Sequence, residues 1–514
     1  MFAAFAVLVL AMAFQAGGEE TSESNTLTIQ LASARKELIV HAEQPLVLEG
    51  HRKTLPPGTY TVQASGAHRA VQRYRLFVKT FPPHQMQEAR QYATQWKNQG
   101  YEADILPFGR MWKLESGQSA DNRTWWISIG CQPTLEKAKA LKAALEKQSV
   151  WAWILPETIS QGRGKIHFKD PRGKEICQVD APAVFRSGAP VRVAGMDVGF
   201  WKNQQKDRSY RGDLEVRIGP DAQLELYERI AFESYLAGVL PAEMPAGWPM
   251  EALKAQAVAA RSEVAATLGG KHTLEGFDFC SNEHCRAYGG DNGRQQTTDE
   301  AVAATRGMVL LAEGRVVPAV FSANCGGWTE HNDTVWSGPP NNALRGVPDF
   351  LPMTNPAPNG PESYGIAKWL KNAPKAYCAE NRESFRWTKR FTAKELADIV
   401  NKRYPVGQIR AIETGDRGAS GRLKWVKIIG TKKTVTVRKD LDIRLAFGGL
   451  NSAMFMVEAK GRPGSPEAFV FTGGGRGHGV GLCQDGARGM ASAGAPYGVI
   501  LKHYFPMAAL ARLQ

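Results

Sequence analysis

Between residues 74 and 155 the spacing of apolar side chains changes period in an ordered way, and this limits the available folds more than any other feature of the chain. Period-2 alternation over 74–79, 101–106, 125–130 and 151–155 predicts strands, and the 3.6-residue period over Met86–Asn98 and Leu135–Lys147 predicts helices. The order is βαββαβ, two similar halves of about 50 residues each, as in an internal repeat. Such halves pack as one sheet backed by two helices.

The chain has 514 residues, which at roughly 100–200 residues per domain predicts two to four domains. Residues 26–66 read as a short β-rich segment, with alternating runs such as Leu27-Thr28-Ile29 and Tyr60-Thr61-Val62 around the turn at Pro56-Pro57-Gly58. The βαββαβ module takes residues 70–158. Residues 161–190, rich in Gly, Pro and Lys, read as a connector. Strands resume at Val191-Arg192-Val193, 214–218 and 224–227, and a larger mixed α+β domain occupies 189–514. The fold class expected is α+β, multidomain.

Residues 1–16 are apolar over the length of a signal-peptide core and too short to span a bilayer. Ala11-Met12-Ala13 offers a small-x-small cleavage site, while the lack of Lys or Arg at the start leaves an uncleaved N-terminal anchor as the alternative. Small polar residues follow over 17–25, as in a linker. No later stretch approaches the ~20 apolar residues of a spanning helix. The expectation is therefore an exported protein of the periplasm or cell wall, touching a membrane only through such an anchor. Its formal charge of +14 favours anionic partners. The basic residues are scattered, and export argues against nucleic acid. Seven cysteines are too few for a disulfide scaffold, and an odd number leaves at least one thiol unpaired or on a metal.

The first block with chemistry runs Tyr235-Leu236-Ala237-Gly238-Val239-Leu240-Pro241-Ala242-Glu243-Met244-Pro245. It precedes a helix that Pro249 opens, Glu251 complements at its N-terminal dipole and Gly269-Gly270 ends. Leu253, Ala257 and Ala260 form that helix's core face. Glu243 sits among Leu240, Met244 and Trp248, with prolines on both sides, and apolar surroundings disfavour the charged form of a carboxyl. A carboxyl kept protonated can donate to a glycosidic oxygen. The local sequence alone leaves an ordinary surface glutamate as the alternative.

His272, Cys280, His284 and Cys285 supply two imidazoles and two thiols, a complete tetrahedral set for zinc. Adjacent His284 and Cys285 reach one ion only on a bent backbone, so a Cys280–Cys285 disulfide is the rival reading. A third block runs Ser322-Ala323-Asn324-Cys325-Gly326-Gly327-Trp328-Thr329. A fourth contains Gly477-His478-Gly479-Val480-Gly481, Gln484 and Gly486-Ala487. Its glycines let backbone approach closely, but it lacks the Lys-Ser/Thr of a phosphate loop.

In this order the four blocks resemble the SpoIID/LytB family from about residue 189 to the C-terminus. The carrying motifs are the Tyr235–Pro245 block, Ala255-Gln256-Ala257-Val258-Ala259-Ala260-Arg261 and the Gly477–Gly481 block with Gln484 behind it. The intervening sequence, including Gly421-Arg422 and Asn451-Ser452, also runs in family order, so no foreign inserted domain is expected. The 70–158 module resembles a SPOR domain, which in its family binds glycan strands stripped of peptide stems.

These resemblances imply a peptidoglycan lytic transglycosylase acting on MurNAc-GlcNAc strands, with Glu243 as acid and base. They imply Zn(2+) on His272, Cys280, His284 and Cys285, structural if all four bind. Arg261, Ser322, His478 and Gln484 become substrate-groove candidates by family position. Cys325 and Cys483 stand where serine is common, either as small-residue replacements or as a disulfide pair. A hydrolase would need a second carboxylate, for which Glu251 or a distant Asp is the candidate. From the other side of the family comes a different expectation, a non-catalytic amidase enhancer or wall-binding protein with a cell-wall amidase as partner.

Overall fold

Alternation of buried and exposed side chains along Thr26–Arg35 puts Leu27, Ile29 and Leu31 on one face, and that face covers a core. The computed structural model describes residues 26–51, 53–198, 204–270, 272–282, 284–350, 360–372 and 375–514, so the expected leader at 1–16 and the linker behind it lie outside the described residues. Thr26–Arg35 pairs antiparallel with Leu224–Ala231 and parallel with Phe279–Cys280. The seven-stranded sheet continues through Asp213–Ile218, Ala183–Ser187, Leu46–Leu48 and Thr54–Leu55. A six-stranded sheet runs Glu175–Asp180, Arg163–Lys169, Gly58–His68, Glu37–Ala42, Val191–Val198, Gln204–Tyr210. The apolar faces of both sheets enter one core, where the Phe168 and Phe185 rings meet edge-on at 5.6 Å.

Two expected boundaries are corrected by this pairing. Residues 26–66 are not a unit of their own, because Thr26–Arg35, Glu37–Ala42, Leu46–Leu48 and Gly58–His68 each pair with a strand from 163–231. Residues 161–190 are not a connector but three strands of the two sheets. Their buried positions, Ile166, Phe168, Cys177 and Val179, alternate with polar ones. Gly and Pro mark the turns between those strands rather than a loose tether.

The βαββαβ module is inserted between Gly58–His68 and Arg163–Lys169, which pair with each other. Its antiparallel sheet has the order Trp153–Ser160, Val71–Phe81, Thr124–Gln132, Asp104–Phe108. Helices α1 (Met86–Asn98) and α2 (Leu135–Lys147) have the bounds expected and cover one face of the sheet. Ala89, Ala93, Trp96, Ala138 and Leu145 close a separate small core over Leu76, Ile127 and Ile129. A hairpin of Met111–Lys113 and Ser119–Asp121, too short to show a period, docks the module on the rest of the chain. From it the Trp112 indole N–H donates to the Ala265 carbonyl at 3.0 Å, with the ring edge-on to Phe232. Asn122 exchanges two hydrogen bonds of 2.8 and 2.9 Å with the Val316 backbone.

Beyond the sandwich, α3 (Phe232–Glu243) and α4 (Met250–Thr267) lie side by side. Leu253, Ala257 and Ala260 of α4 are buried as expected, and so are most of its other positions, making it a central helix. The expectation of no inserted domain is corrected too. Arg386–Thr392, Ser465–Gly474 and Phe455–Arg462 form one sheet, and Ile409–Thr414, Trp425–Gly430 and Thr434–Arg438 another. With the helix Ala393–Asn401 they enclose a hydrophobic core of their own, around Leu396, Val400, Ile428, Phe447 and Phe471. The molecule is thus α+β and multidomain, as predicted. Among the described residues no helix is long and apolar enough to cross a membrane.

Candidate active site and metal loop

Glu243 is the last residue of α3. Pro245 disfavours the helical conformation for Met244 before it, which is extended at φ −141° and ψ 130°, so the helix stops at Glu243, and Met244 N–H closes it by donating to the Leu240 carbonyl at 2.9 Å. Leu240 and Met244 are buried, while Glu243 and Trp248 are half-buried at the surface. The fourth block reaches this point from the other end of the chain. The Gln484 side-chain amide donates to the Glu243 carbonyl at 3.0 Å and lies 3.5 Å from the side-chain oxygen of the buried Gln256 on α4. Gln484 begins the helix Gln484–Ser492, and Arg488 one turn later sits over the Trp248 ring at 5.4 Å. The local arrangement is therefore one carboxyl at a helix end, an amide clamp behind it and an indole-guanidinium pair beside it.

Tyr235 of the same block is fully buried two turns back along α3. Glu251 is committed elsewhere. It accepts from Lys254 at 2.8 Å and from the Tyr497 backbone N–H at 2.8 Å, at the start of the helix Tyr497–Tyr504. Partial burial pushes its carboxyl up, and these two donors outweigh it, leaving it below the usual range and ionised.

The third and fourth blocks join as the parallel pair Phe321–Ser322 and Leu482–Cys483, so Ser322 and Gln484 belong to one small structure. The Ser322 hydroxyl accepts from the Gly479 N–H at 3.1 Å and holds the Gly477–Gly481 turn. Gly479 has φ of +78°, and a Cβ there would lie 2.4 Å from the Arg422 guanidinium carbon, so only glycine fits. His478 Nδ1 accepts from Val480 N–H at 3.1 Å. Burial, then the charges of Arg422 and Arg444, push its pKa down to about 3, so the ring is neutral. Arg261 does not join this group. It is wholly buried in a two-bond ion pair with Glu233, at 2.9 and 2.7 Å, and spends its other donors on Thr305 and the Val302 and Met308 carbonyls. Glu233 and Glu243 stand at opposite ends of α3, about 15 Å apart at 1.5 Å per residue.

The loop after α4 gathers His272, Cys280, His284 and Cys285 so that one ligand atom of each lies within 4.8 Å of all the others. The Cys280 and Cys285 sulfurs are 3.3 Å apart as free thiols, and His284 Nδ1 is 3.5 Å from Cys280 Sγ. His272 Nε2 is buried without a hydrogen-bond partner, and the opposite ring nitrogen, Nδ1, meets the Glu275 carboxylate at 2.8 Å. A carboxylate behind an imidazole whose other nitrogen is left bare is the arrangement of a metal-ligating histidine. The donor set fits a tetrahedral ion of the zinc type. Arg286, next to Cys285, ties the loop to the helices through Glu263 of α4 and the Tyr235 hydroxyl of α3.

Sequence reasoning did not reach Gln256 or Arg488, although Gln256 lies inside the motif that ends at Arg261. It also missed Cys378 and Asp349, which the fold brings beside Cys325 and Cys483. The pairing of Cys325 with Cys483 alone is not what the structure holds, since all seven cysteines are free.

Residues 221–311 match the family described as Stage II sporulation protein, and residues 330–481 match a domain of unknown function (DUF8618) that contains the second core. An uncharacterized protein of Brachyspira hyodysenteriae is 31% identical over 304 residues, 58% of this chain and 70% of that protein. Stage II sporulation protein D of Bacillus amyloliquefaciens is 30% identical over 54% of this chain and 73% of its own length. The amidase enhancer of Bacillus subtilis is 28% identical over 53% of this chain, which spans only 39% of that relative. With the motifs, the match over 221–311 and these relatives agreeing, the chain belongs to the SpoIID/LytB family.

Proposed function

We propose that this chain is a lytic transglycosylase that cleaves peptide-free MurNAc-GlcNAc strands of peptidoglycan, with Glu243 as its acid and base. A cell-wall role and a place outside the cell or at the wall follow from the family. The carrying observation is the single framed carboxyl at the end of α3, clamped through its carbonyl by Gln484, with the nearby Glu251 ionised and engaged. Hydrolysis would need a second carboxyl to activate water or form a glycosyl intermediate. A transglycosylase needs one. The Glu243 proton goes to the glycosidic oxygen as the C1–O bond breaks. The resulting carboxylate takes the proton of the sugar's C6 hydroxyl, whose oxygen closes onto C1 to give an anhydro end without water. Trp248 offers a stacking face for a sugar ring, and Arg488 a positive charge for a lactyl carboxylate freed of its peptide.

His272, Cys280, His284 and Cys285 would hold a zinc ion that fixes the loop, and through Arg286 the facing sides of α3 and α4. An ion with four protein ligands supplies structure rather than an open catalytic position. The βαββαβ module would bind the same stripped glycan, as a SPOR domain does. The relative named amidase enhancer supports a second reading, a non-catalytic partner of a wall amidase.

Mass spectrometry of peptide-free glycan incubated with the protein and with Glu243→Gln separates the readings. Anhydro-ended fragments that fall at least ~100-fold in the variant are the expected outcome. Reducing ends would mean a hydrolase, and intact glycan would leave the enhancer.

A further inference from the structure

A second cluster lies directly behind the candidate site. Cys325, Asp349, Cys378 and Cys483 come from four separate places in the chain and are all wholly buried. One ligand atom of each lies within 4.8 Å of the other three. Cys325 Sγ and Cys378 Sγ are 3.7 Å apart. Two thiolates on one zinc at ~2.3 Å span a tetrahedron edge of about 3.8 Å, whereas a disulfide requires about 2.05 Å.

The surroundings prepare these atoms as acceptors. Cys483 Sγ receives the backbone N–H groups of Cys325 at 3.2 Å and Gly486 at 3.4 Å, and it caps the helix Gln484–Ser492, whose N-terminus favours a thiolate. The Asp349 carboxylate receives the Cys378 N–H at 2.8 Å on one oxygen and the Tyr504 hydroxyl on the other. Gly486 has no room for a side chain, since a Cβ would lie 2.0 Å from the Tyr504 oxygen and 2.3 Å from Asp349 Oδ1. Two neighbouring cations have their donors engaged elsewhere: Arg386 on the carbonyls of Gly326, Trp369 and Leu370, and Arg422 on the carbonyls of Cys325 and Gly477 and the Ser420 hydroxyl, with Asp440 at 4.0 Å. Three thiols and a carboxyl converging in a dry interior require protons on all four or one cation among them.

We propose that Cys325, Cys378, Cys483 and Asp349 bind a structural divalent metal ion of the zinc class through three sulfurs and one oxygen, distinct from the two-histidine, two-cysteine loop. The ion fastens the segment that carries Cys378, within the 330–481 region, to the strand pair Phe321–Ser322 and Leu482–Cys483. Its ligand Cys483 is one residue from Gln484, so the ion also fixes the start of the helix that clamps Glu243.

The test is the metal content of the purified full chain, with X-ray absorption at the zinc edge to count sulfur neighbours. The wild type, Cys378→Ser, the milder Asp349→Asn and the loop variant Cys280→Ser are compared. The expected result is a metal with three sulfur neighbours that survives Cys280→Ser and falls by one equivalent in Cys378→Ser. The wild type alone decides if the variants fail to fold, because a three-sulfur shell raises the mean sulfur count above the two that the loop provides. No metal, a metal with only a two-sulfur, two-nitrogen shell, or a peptide pair cross-linked through two of these cysteines and lighter by two hydrogens would overturn the proposal.

Discussion

Gln484 reaches Glu243 across a sequence separation of 241 residues, and its side-chain amide donates to the backbone carbonyl there. It is therefore a positioning residue, acting on where the carboxyl points rather than on its charge. Replacing it with alanine should lower kcat on glycan strands roughly 10–100-fold, since a displacement near 1 Å at a reacting group has that effect. KM and the thermal midpoint should change little. An unchanged kcat would show that the bond does not hold the acid in place. As a candidate, Glu243 is legible in the sequence because the prolines at 241 and 245 frame it among apolar residues. Gln256 and Arg488 are not, because their role depends on α4 and the Gln484–Ser492 helix meeting at one point. Arg261 shows the opposite difficulty: it stands in a motif beside the acid, yet its chemistry is spent inside the protein on Glu233.

That ion pair belongs to the scale of elements, because it joins the start of α3 to the middle of α4. Arg261→Ala would leave Glu233 without its guanidinium partner and three further hydrogen-bond acceptors unmet, and should lower stability by about 3 kcal/mol in urea unfolding. A loss under ~0.5 kcal/mol would mean that the pair is dispensable. The strand Leu224–Ala231 carries another buried charge site. Glu228 accepts from the Tyr288 hydroxyl at 2.7 Å and the Gly212 N–H at 2.8 Å, and burial nevertheless pushes its pKa up to about 7. Because the folded value is raised above the ordinary 4.5, this group's contribution to stability is full below pH 4.5 and is lost as pH rises through 7. Unfolding titrations of wild type against Glu228→Gln should diverge across that window by about 3 kcal/mol, at 1.36 kcal/mol per unit. Parallel curves would place the Glu228 carboxyl at an ordinary value. Among the elements, α1 and α2 are legible to the residue because their apolar period is uninterrupted. α3 is hidden by Gly238 and Pro241, both poor helix formers, and tertiary burial of Tyr235, Leu236, Val239 and Leu240 makes the helix regardless.

At the scale of the molecule, the sequence reveals the small module and the family blocks but not how they are joined. Local periodicity says that residues 26–35 form a strand, but not that its partners lie at 224–231 and 279–280. The module is likewise visible, while the hairpin that docks it is not. Trp112 is buried at that junction, its indole N–H bonded to α4 and its ring against α3. Trp112→Ala should cost about 3–5 kcal/mol. It should also split thermal unfolding into two transitions, the module melting apart from the rest. A single transition at the wild-type temperature would mean that the hairpin contact does not couple them.

The pairing of Thr26–Arg35 with Leu224–Ala231 also sets an order in time. At roughly 5–20 residues per second of synthesis, the first of these strands waits about 10–40 s for the second to emerge. The contacts that make the module's own core are local to its 90 or so residues, so that core closes first, while the sandwich around it is still a set of unpaired edges. Until Leu224–Ala231 arrives, Thr26–Arg35, with Leu27, Ile29 and Leu31 on one face, stands open to a wrong partner.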